Sequence, residues 1–133
     1  MSETYNLRTL IKEMTPVLDE KEYVFVATSS PTKIPRELCL FEFKEQEGTT
    51  IVLEKSTADQ LHLSYQFVAS WITLQVHSSL EAIGLTAAFS TELTAHAISC
   101  NVVAGYYHDH LFVPKKDGER ALNILKDFSE NYP

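Results

Sequence analysis

The chain is 133 residues long, with 11 Lys and Arg against 18 Asp and Glu for a formal charge of -7, and it is 44 % hydrophobic and 22 % charged. Such a length holds one compact domain, or two half-size units that share a core, and the composition lies outside the disordered regime of low hydrophobicity and high net charge. The few cations are scattered, which argues against nucleic acid and anionic membrane as partners, since both require clustered Lys and Arg.

Leu7, Leu10, Ile11 and Met14 fall at i, i+3, i+4 and i+7, one apolar stripe on a short helix that Pro16 stops. Tyr23–Thr28 is a β-branched and aromatic run followed by turn chemistry at Ser29-Ser30-Pro31-Thr32, which predicts a strand and an exposed loop that Pro35 keeps out of any helix. Leu38–Lys44 and Thr49–Glu54 read as an antiparallel pair about Glu45-Gln46-Glu47-Gly48, with Gly48 supplying a positive φ. Ser56 or Thr57 then opens a short helix through about Leu63.

Ile72, Leu74 and Val76 alternate with Trp71, Thr73, Gln75 and His77, as in a strand with one face on a helix layer. Ser78-Ser79-Leu80-Glu81 has the form of a capping box, which predicts a helix starting there. Two apolar stripes follow, Leu80-Ile83-Ala87 and Ala82-Leu85-Phe89-Leu93, and the helix is expected to end near Ala95 to Ala97. Gly84 inside such a helix costs about 1 kcal/mol relative to Ala, so it implies close packing of a neighbour. Ile98–Ala104 and Tyr107–Val113 are two more strands about a tight turn at Gly105-Tyr106, and Asp117 caps a final helix carrying Ala121, Leu122, Leu125 and Phe128.

The order helix, strand, strand, strand, helix, and then strand, helix, strand, strand, helix predicts two loosely similar units, residues 1–65 and 66–133. Antiparallel sheets with helices on one face are the natural α+β solution, and the ferredoxin-like arrangement is its commonest form. No strand follows the last helix, so one unit is expected to borrow an edge strand from the other, with Tyr23–Thr28 the candidate donor.

The runs Ile72–Thr86 and Ile98–Pro114 resemble the ACT-domain superfamily, and Glu45-Gln46-Glu47-Gly48-Thr49-Thr50 resembles the corresponding hairpin of a first unit. More closely, the chain resembles a group of small bacterial proteins built from two tandem ACT-like units, related to the ACT pairs of aspartate kinases and of eukaryotic amino-acid sensors. The resemblance implies a βαββαβ-type ferredoxin-like ACT fold, a small ligand bound where two units meet, and regulation of a protein partner or pathway. It places that ligand, often an amino acid, at the loop between first strand and first helix. Here that loop is Val76, His77, Ser78, Ser79 and Leu80, with Asn101 and Val102 of the next strand beside it.

Two other readings follow from the residues themselves. By alternation one sheet face collects Trp71, Thr73, Gln75 and His77, then Ser99, Asn101 and Val103, then His108, His110 and Phe112. Aromatics mixed with histidine and amide groups suit an interface, so Trp71, Thr73, Gln75, Val103, His108, His110 and Phe112 are expected at a homodimer or inter-unit contact. If the histidines are buried there, association weakens near or below roughly pH 6.5. His108 and His110 are two ligands where a structural zinc site needs four, and Asp109 points to the other face, where it is expected to tie down the turn. No metal and no cofactor are therefore expected.

No catalytic set is apparent either. Ser79 and His77 are neighbours that strand-to-helix geometry does not align as nucleophile and base, Glu42, Glu45 and Glu47 surround a hairpin as solvated surface, and four glycines form no phosphate cradle. The expectation is a regulatory or sensor module and not an enzyme. A ligand-free interaction or assembly module is the alternative, and a metal-dependent or hydrolytic enzyme using His77, His108 and His110 a remoter one. Cys39 and Cys100 read as solitary thiols of a reducing compartment. The N-terminus lacks the form of a signal peptide, and no window reaches the roughly 18 apolar residues of a membrane span, so a cytoplasmic location is expected.

Overall fold

A computed structural model describes residues 6–77 and 80–133. The elements in chain order are α1 (Leu7–Glu13), β1 (Thr15–Leu18), β2 (Tyr23–Thr28), β3 (Cys39–Lys44), β4 (Thr49–Glu54), α2 (Lys55–Gln60), β5 (Val68–Gln75), α3 (Leu85–Ala95), β6 (Asn101–Ala104), β7 (Asp109–Pro114) and α4 (Gly118–Glu130). Single 3-10 turns occupy Pro31–Lys33, Arg36–Leu38 and Lys115–Asp117. The elements form two compact units, one of Glu20–Ala69 and one that joins the residues up to Asp19 to Ser70–Pro133.

The larger unit has the strand order β1-β5-β7-β6. Its helices α1, α3 and α4 pack on one another over a core that includes Leu10, Ile11, Ile72, Leu74, Leu85, Phe89, Leu111, Val113 and Leu125. The alternation of β5 holds, since Ile72, Leu74 and Val76 are buried while Gln75 and His77 are exposed. The borrowed strand is not the one expected. Thr15–Leu18 pairs antiparallel with β5 from Thr15↔Gln75 to Leu18↔Ile72, whereas β2 pairs along its whole length with β4 and meets β5 only at Tyr23↔Ala69 and Val24↔Val68. Pro16 stops α1 as expected, but in a four-residue strand its missing N–H is tolerated, and its ring is buried.

Both ends of this unit are tied together by polar contacts. Asn6 caps α1 by accepting from the Thr9 amide at 3.2 Å. At the other end of α1, where carbonyls lack partners within the helix, the buried Ser129 hydroxyl of α4 shares its single hydrogen between the oxygens of Ile11 at 2.6 Å and Met14 at 3.1 Å. Lys12 and Arg8 donate to the carbonyls of Tyr132 and Pro133 at 2.6 and 2.7 Å.

Helix α3 begins at Leu85, six residues later than a helix capped at Ser78 would. Gly84 precedes it in the left-handed conformation, φ +94° and ψ -13°, and its carbonyl accepts from Ala88 at 2.9 Å. A left-handed residue interrupts any helix running through it, so Leu80–Ile83 lies outside α3, and Ser78 and Ser79 of the expected capping box lie outside the described residues. The apolar stripe Leu80-Ile83-Ala87 is correspondingly exposed, while Leu85, Phe89 and Leu93 are buried. At its far end α3 closes with a Schellman motif: the Ile98 amide donates to Leu93 O at 3.0 Å and the Ala97 amide to Thr94 O at 2.9 Å. Ala97 therefore sits at φ +60°. That is why β6 starts at Asn101 and not at Ile98.

In the smaller unit β3, β4 and β2 form an antiparallel meander in that spatial order. Its turn is the expected one, with Glu45 N–H donating to Gly48 O at 2.9 Å and Gly48 at φ +155°. A side chain at Gly48 would also crowd the Thr28 carbonyl at 3.3 Å. One face of the meander carries Val24, Val26, Ile51 and Leu53, packed with Ile34 and with Ala58 of α2. The other carries Phe25 edge-on to Phe41 at 6.3 Å and beside Phe67 at 5.9 Å. Helix α2 starts from Glu54, two residues before Ser56, the nearer of the expected caps, and is braced by Asp59 accepting from Lys55 at 3.0 Å and from Tyr65 at 2.6 Å.

The left-handed Ala97 carries a steric cost that glycine does not pay. Ala97→Gly should raise the unfolding free energy by about 0.5–1 kcal/mol in urea denaturation.

Candidate ligand-binding site

A cleft of about 90 Å³ opens where the first turn of α3 faces the β6–β7 hairpin. Leu80, Ala82, Leu85 and Thr86 line one wall, and Ala104 through Asp109 line the other. The strands pair from Asn101↔Phe112 to Ala104↔Asp109, and the Gly105 amide donates to His108 O at 2.9 Å, so the hairpin tip is Tyr106-Tyr107 and not Gly105-Tyr106. Gly105 is required there, because a Cβ would lie 2.9 Å from His108 O and 3.1 Å from His110 Nε2. Asp109 reaches across the cleft, accepting from the Thr86 hydroxyl at 3.4 Å. His108 Nδ1 is buried and has no hydrogen-bond partner among the described residues, an arrangement that is rare for a buried polar atom and needs a reason.

Of the seven residues placed at the ligand site by resemblance, five lie among the described residues. Leu80 lines the cleft. Val76 is a core side chain, His77 is exposed, and Ser78 and Ser79 lie outside the described residues. Asn101 is exposed and donates to Phe112 O at 3.5 Å, and Val102 packs on the core. What the sequence reading missed is the hairpin tip, whose signal was a glycine followed by two tyrosines at a turn.

The aromatic face forms as alternation predicts. Trp71 Nε1 donates to His110 Nδ1 at 3.0 Å, the Thr73 hydroxyl lies 3.2 Å from the same nitrogen, and the Trp71 ring stacks on Phe112 at 6.4 Å and 13°. Val103 faces His110 across the hairpin and is half-buried, as is His108, while Gln75 is exposed. Phe112 is only 1 % exposed, so this position is already interior to the chain. An indole N–H can only donate, which assigns the lone pair of His110 to Nδ1 and its proton to Nε2. Burial, and then the neighbouring His108, push His110 below its ordinary pKa of 6.5 against the opposing pull of Asp109.

Among the described residues no group of three His, Cys, Asp or Glu is placed to hold a metal, and no helix is long and apolar enough to cross a membrane. Cys39 and Cys100 are free and half-buried, and burial pushes the Cys100 thiol up to about 11.

Antiparallel strands covered by helices, built twice in one short chain, define an α+β ferredoxin-like protein of two units. An ACT-domain family model matches residues 3–70 and a second ACT-domain model matches residues 66–127, and the chain belongs to the ACT-domain family. A Vibrio cholerae protein of unknown function, described as a possible transport protein, is similar over 96 % of this chain and 99 % of its own, at 44 % identity and a TM-score of 0.84. The Agrobacterium tumefaciens protein Atu0741 shares the fold at 18 % identity and a TM-score of 0.69, covering 87 % of this chain and 89 % of its own. The regulatory subunit of aspartate kinase from Thermus thermophilus shares it at 8 % identity and a TM-score of 0.65, over 88 % and 97 % of the two chains. None of the curated proteins matches this chain.

Trp71 is the chain's one tryptophan, so its fluorescence reports on His110. As pH falls through 6.5 an unfolded chain takes the proton first, because the folded site resists it, so His110 lowers stability below that pH and has no such effect above it. Fluorescence titration of the folded protein should show a transition with a midpoint below 6.5 that His110→Asn abolishes.

Proposed function

We propose that the protein is an ACT-type regulatory or sensor module that binds a small ligand of the amino-acid class in the cleft at the start of α3. The observation that carries this reading is the cleft itself, whose lining brings the Asp109 carboxylate opposite the first turn of α3, beside His108 and the two tyrosines of the hairpin tip. This lining fits a zwitterion: first-turn amides of α3 favour a carboxylate, the Asp109 carboxylate favours an ammonium group, and Leu80 with the two tyrosines offers apolar surface. A volume of about 90 Å³ is far below the roughly 300–1,000 Å³ of pockets for drug-sized ligands, which favours a small metabolite over a nucleotide.

The likeness to a regulatory subunit of aspartate kinase supports control of a protein partner by this ligand. In our reading the module works in the cytoplasm as a homodimer, binds without catalysing a reaction, and uses no cofactor. One observation favours a ligand-free assembly module instead: Ile83, Tyr106 and Tyr107 are 89 %, 81 % and 77 % exposed around the same cleft, and exposed apolar side chains of this kind mark contact surfaces.

Thermal unfolding in the presence of each amino acid, common nucleotides and Zn²⁺ separates the two. A ligand at about 100 times its Kd adds roughly 2.7 kcal/mol, a rise of several degrees for a domain of this size. The sensor reading expects a selective rise with one amino acid, lost in Asp109→Ala. Unchanged melting with every compound favours the assembly module.

A further inference from the structure

The His110 ring is held from two sides. On one side lies Gly105, where a Cβ would stand 3.1 Å from His110 Nε2 and 3.3 Å from its Cδ2. On the other lies β5, with Trp71 Nε1 3.0 Å and the Thr73 hydroxyl 3.2 Å from His110 Nδ1. These two groups differ in what they can do. An indole N–H only donates, whereas a hydroxyl donates or accepts as its hydrogen rotates. Neutral His110 therefore accepts from Trp71 through a bare Nδ1. A proton added at Nδ1 turns that nitrogen into a donor, which sets two N–H groups against each other at Trp71 and leaves Thr73 as the acceptor within reach.

We propose that His110 is a proton-operated switch for the hairpin wall of the cleft: on protonation its ring leaves Trp71 for Thr73 and shifts Gly105 and the Tyr106-Tyr107 tip. This is a regulation of the cleft described above and rests on that reading for its purpose. The coupling is steric, because the ring and the Gly105 backbone are in contact without a side chain between them. The Gly105 amide closes the tip by donating to His108 O at 2.9 Å, and Tyr106 and Tyr107 line the cleft beyond it. On the His110 face β5 presents Trp71, Thr73 and Gln75, with the exposed His77 past its end, β6 presents Val103, and β1 presents Thr15 and Val17. The groups that act on the His110 charge are its strand neighbours: burial and then His108 hold the proton off, and Asp109 favours it. The wall is thus fixed at neutral pH and released in mild acid.

NMR of the full chain, with no ligand added, tests this as the pH falls from about 8 to 5. The His110 imidazole, the Trp71 indole N–H and the amides of Gly105, Tyr106 and Tyr107 should titrate with one midpoint. Trp71→Phe removes the donor that favours the neutral ring and should raise that midpoint by about half a pH unit or more. Thr73→Val removes the acceptor that favours the charged ring and should lower it by about as much. In His110→Asn the three hairpin amides should lose the transition. Hairpin amides that do not follow His110, or shifts of the same direction in both β5 variants, overturn the switch and leave the ligand reading standing. Unchanged melting with every amino acid bears on the ligand reading alone, since the titration uses no ligand.

Discussion

The contact of Leu7 with Gly84 sets the geometry on which the candidate site depends. Leu7 opens α1, and its side chain lies 3.1 Å from where a Cβ on Gly84 would be, so the N-terminal helix closes over the turn that launches α3. Leu10, Ile11 and Met14 continue the same contact into the core, and Ser129 anchors the end of α1 to α4. The start of α3 is thereby held by residues from both ends of the chain. Because the first turn of α3 is one wall of the cleft, a segment more than 70 positions away in sequence decides where that wall stands.

The opposite wall is held from the sheet. His110 packs under Gly105, which leaves no room for a side chain there, and is fixed by Trp71 and Thr73 of β5. A neutral imidazole that accepts from an indole is a rigid support at neutral pH and a weak one when protonated, since the indole has no lone pair to accept a proton in return. The hairpin tip, with His108 and Asp109 behind it, is therefore supported by a group whose hydrogen bond depends on its charge. That couples the hairpin wall to pH through the sheet.

Much of the fold was legible. Tyr23–Thr28 and Thr49–Glu54 announced themselves through β-branched composition, Gly48 through its turn, and α4 through its apolar spacing. Thr15–Leu18 did not, because four residues with a proline carry no period, and their strand character comes from pairing with β5. The helix expected to run through Leu80–Ile83 gave way to a neighbour: Gly84, in its left-handed conformation against Leu7, starts the helix at Leu85. The family was readable from Ile72–Thr86 and Ile98–Pro114, but the cleft was not, because its second wall is a hairpin tip that only the register of β6 with β7 brings opposite Thr86. His108 was legible as polar. Its buried, unpaired nitrogen is a product of tertiary packing.

The most direct test of a small-ligand module at this cleft is amide chemical-shift mapping of the ¹⁵N-labelled protein during titration with each amino acid. The account predicts saturable shifts for one of them, concentrated at Leu80–Ala88 and Ala104–Asp109, with the His108 imidazole resonances moving in step. Saturable shifts confined to Glu20–Ala69, or none with any amino acid, would contradict it.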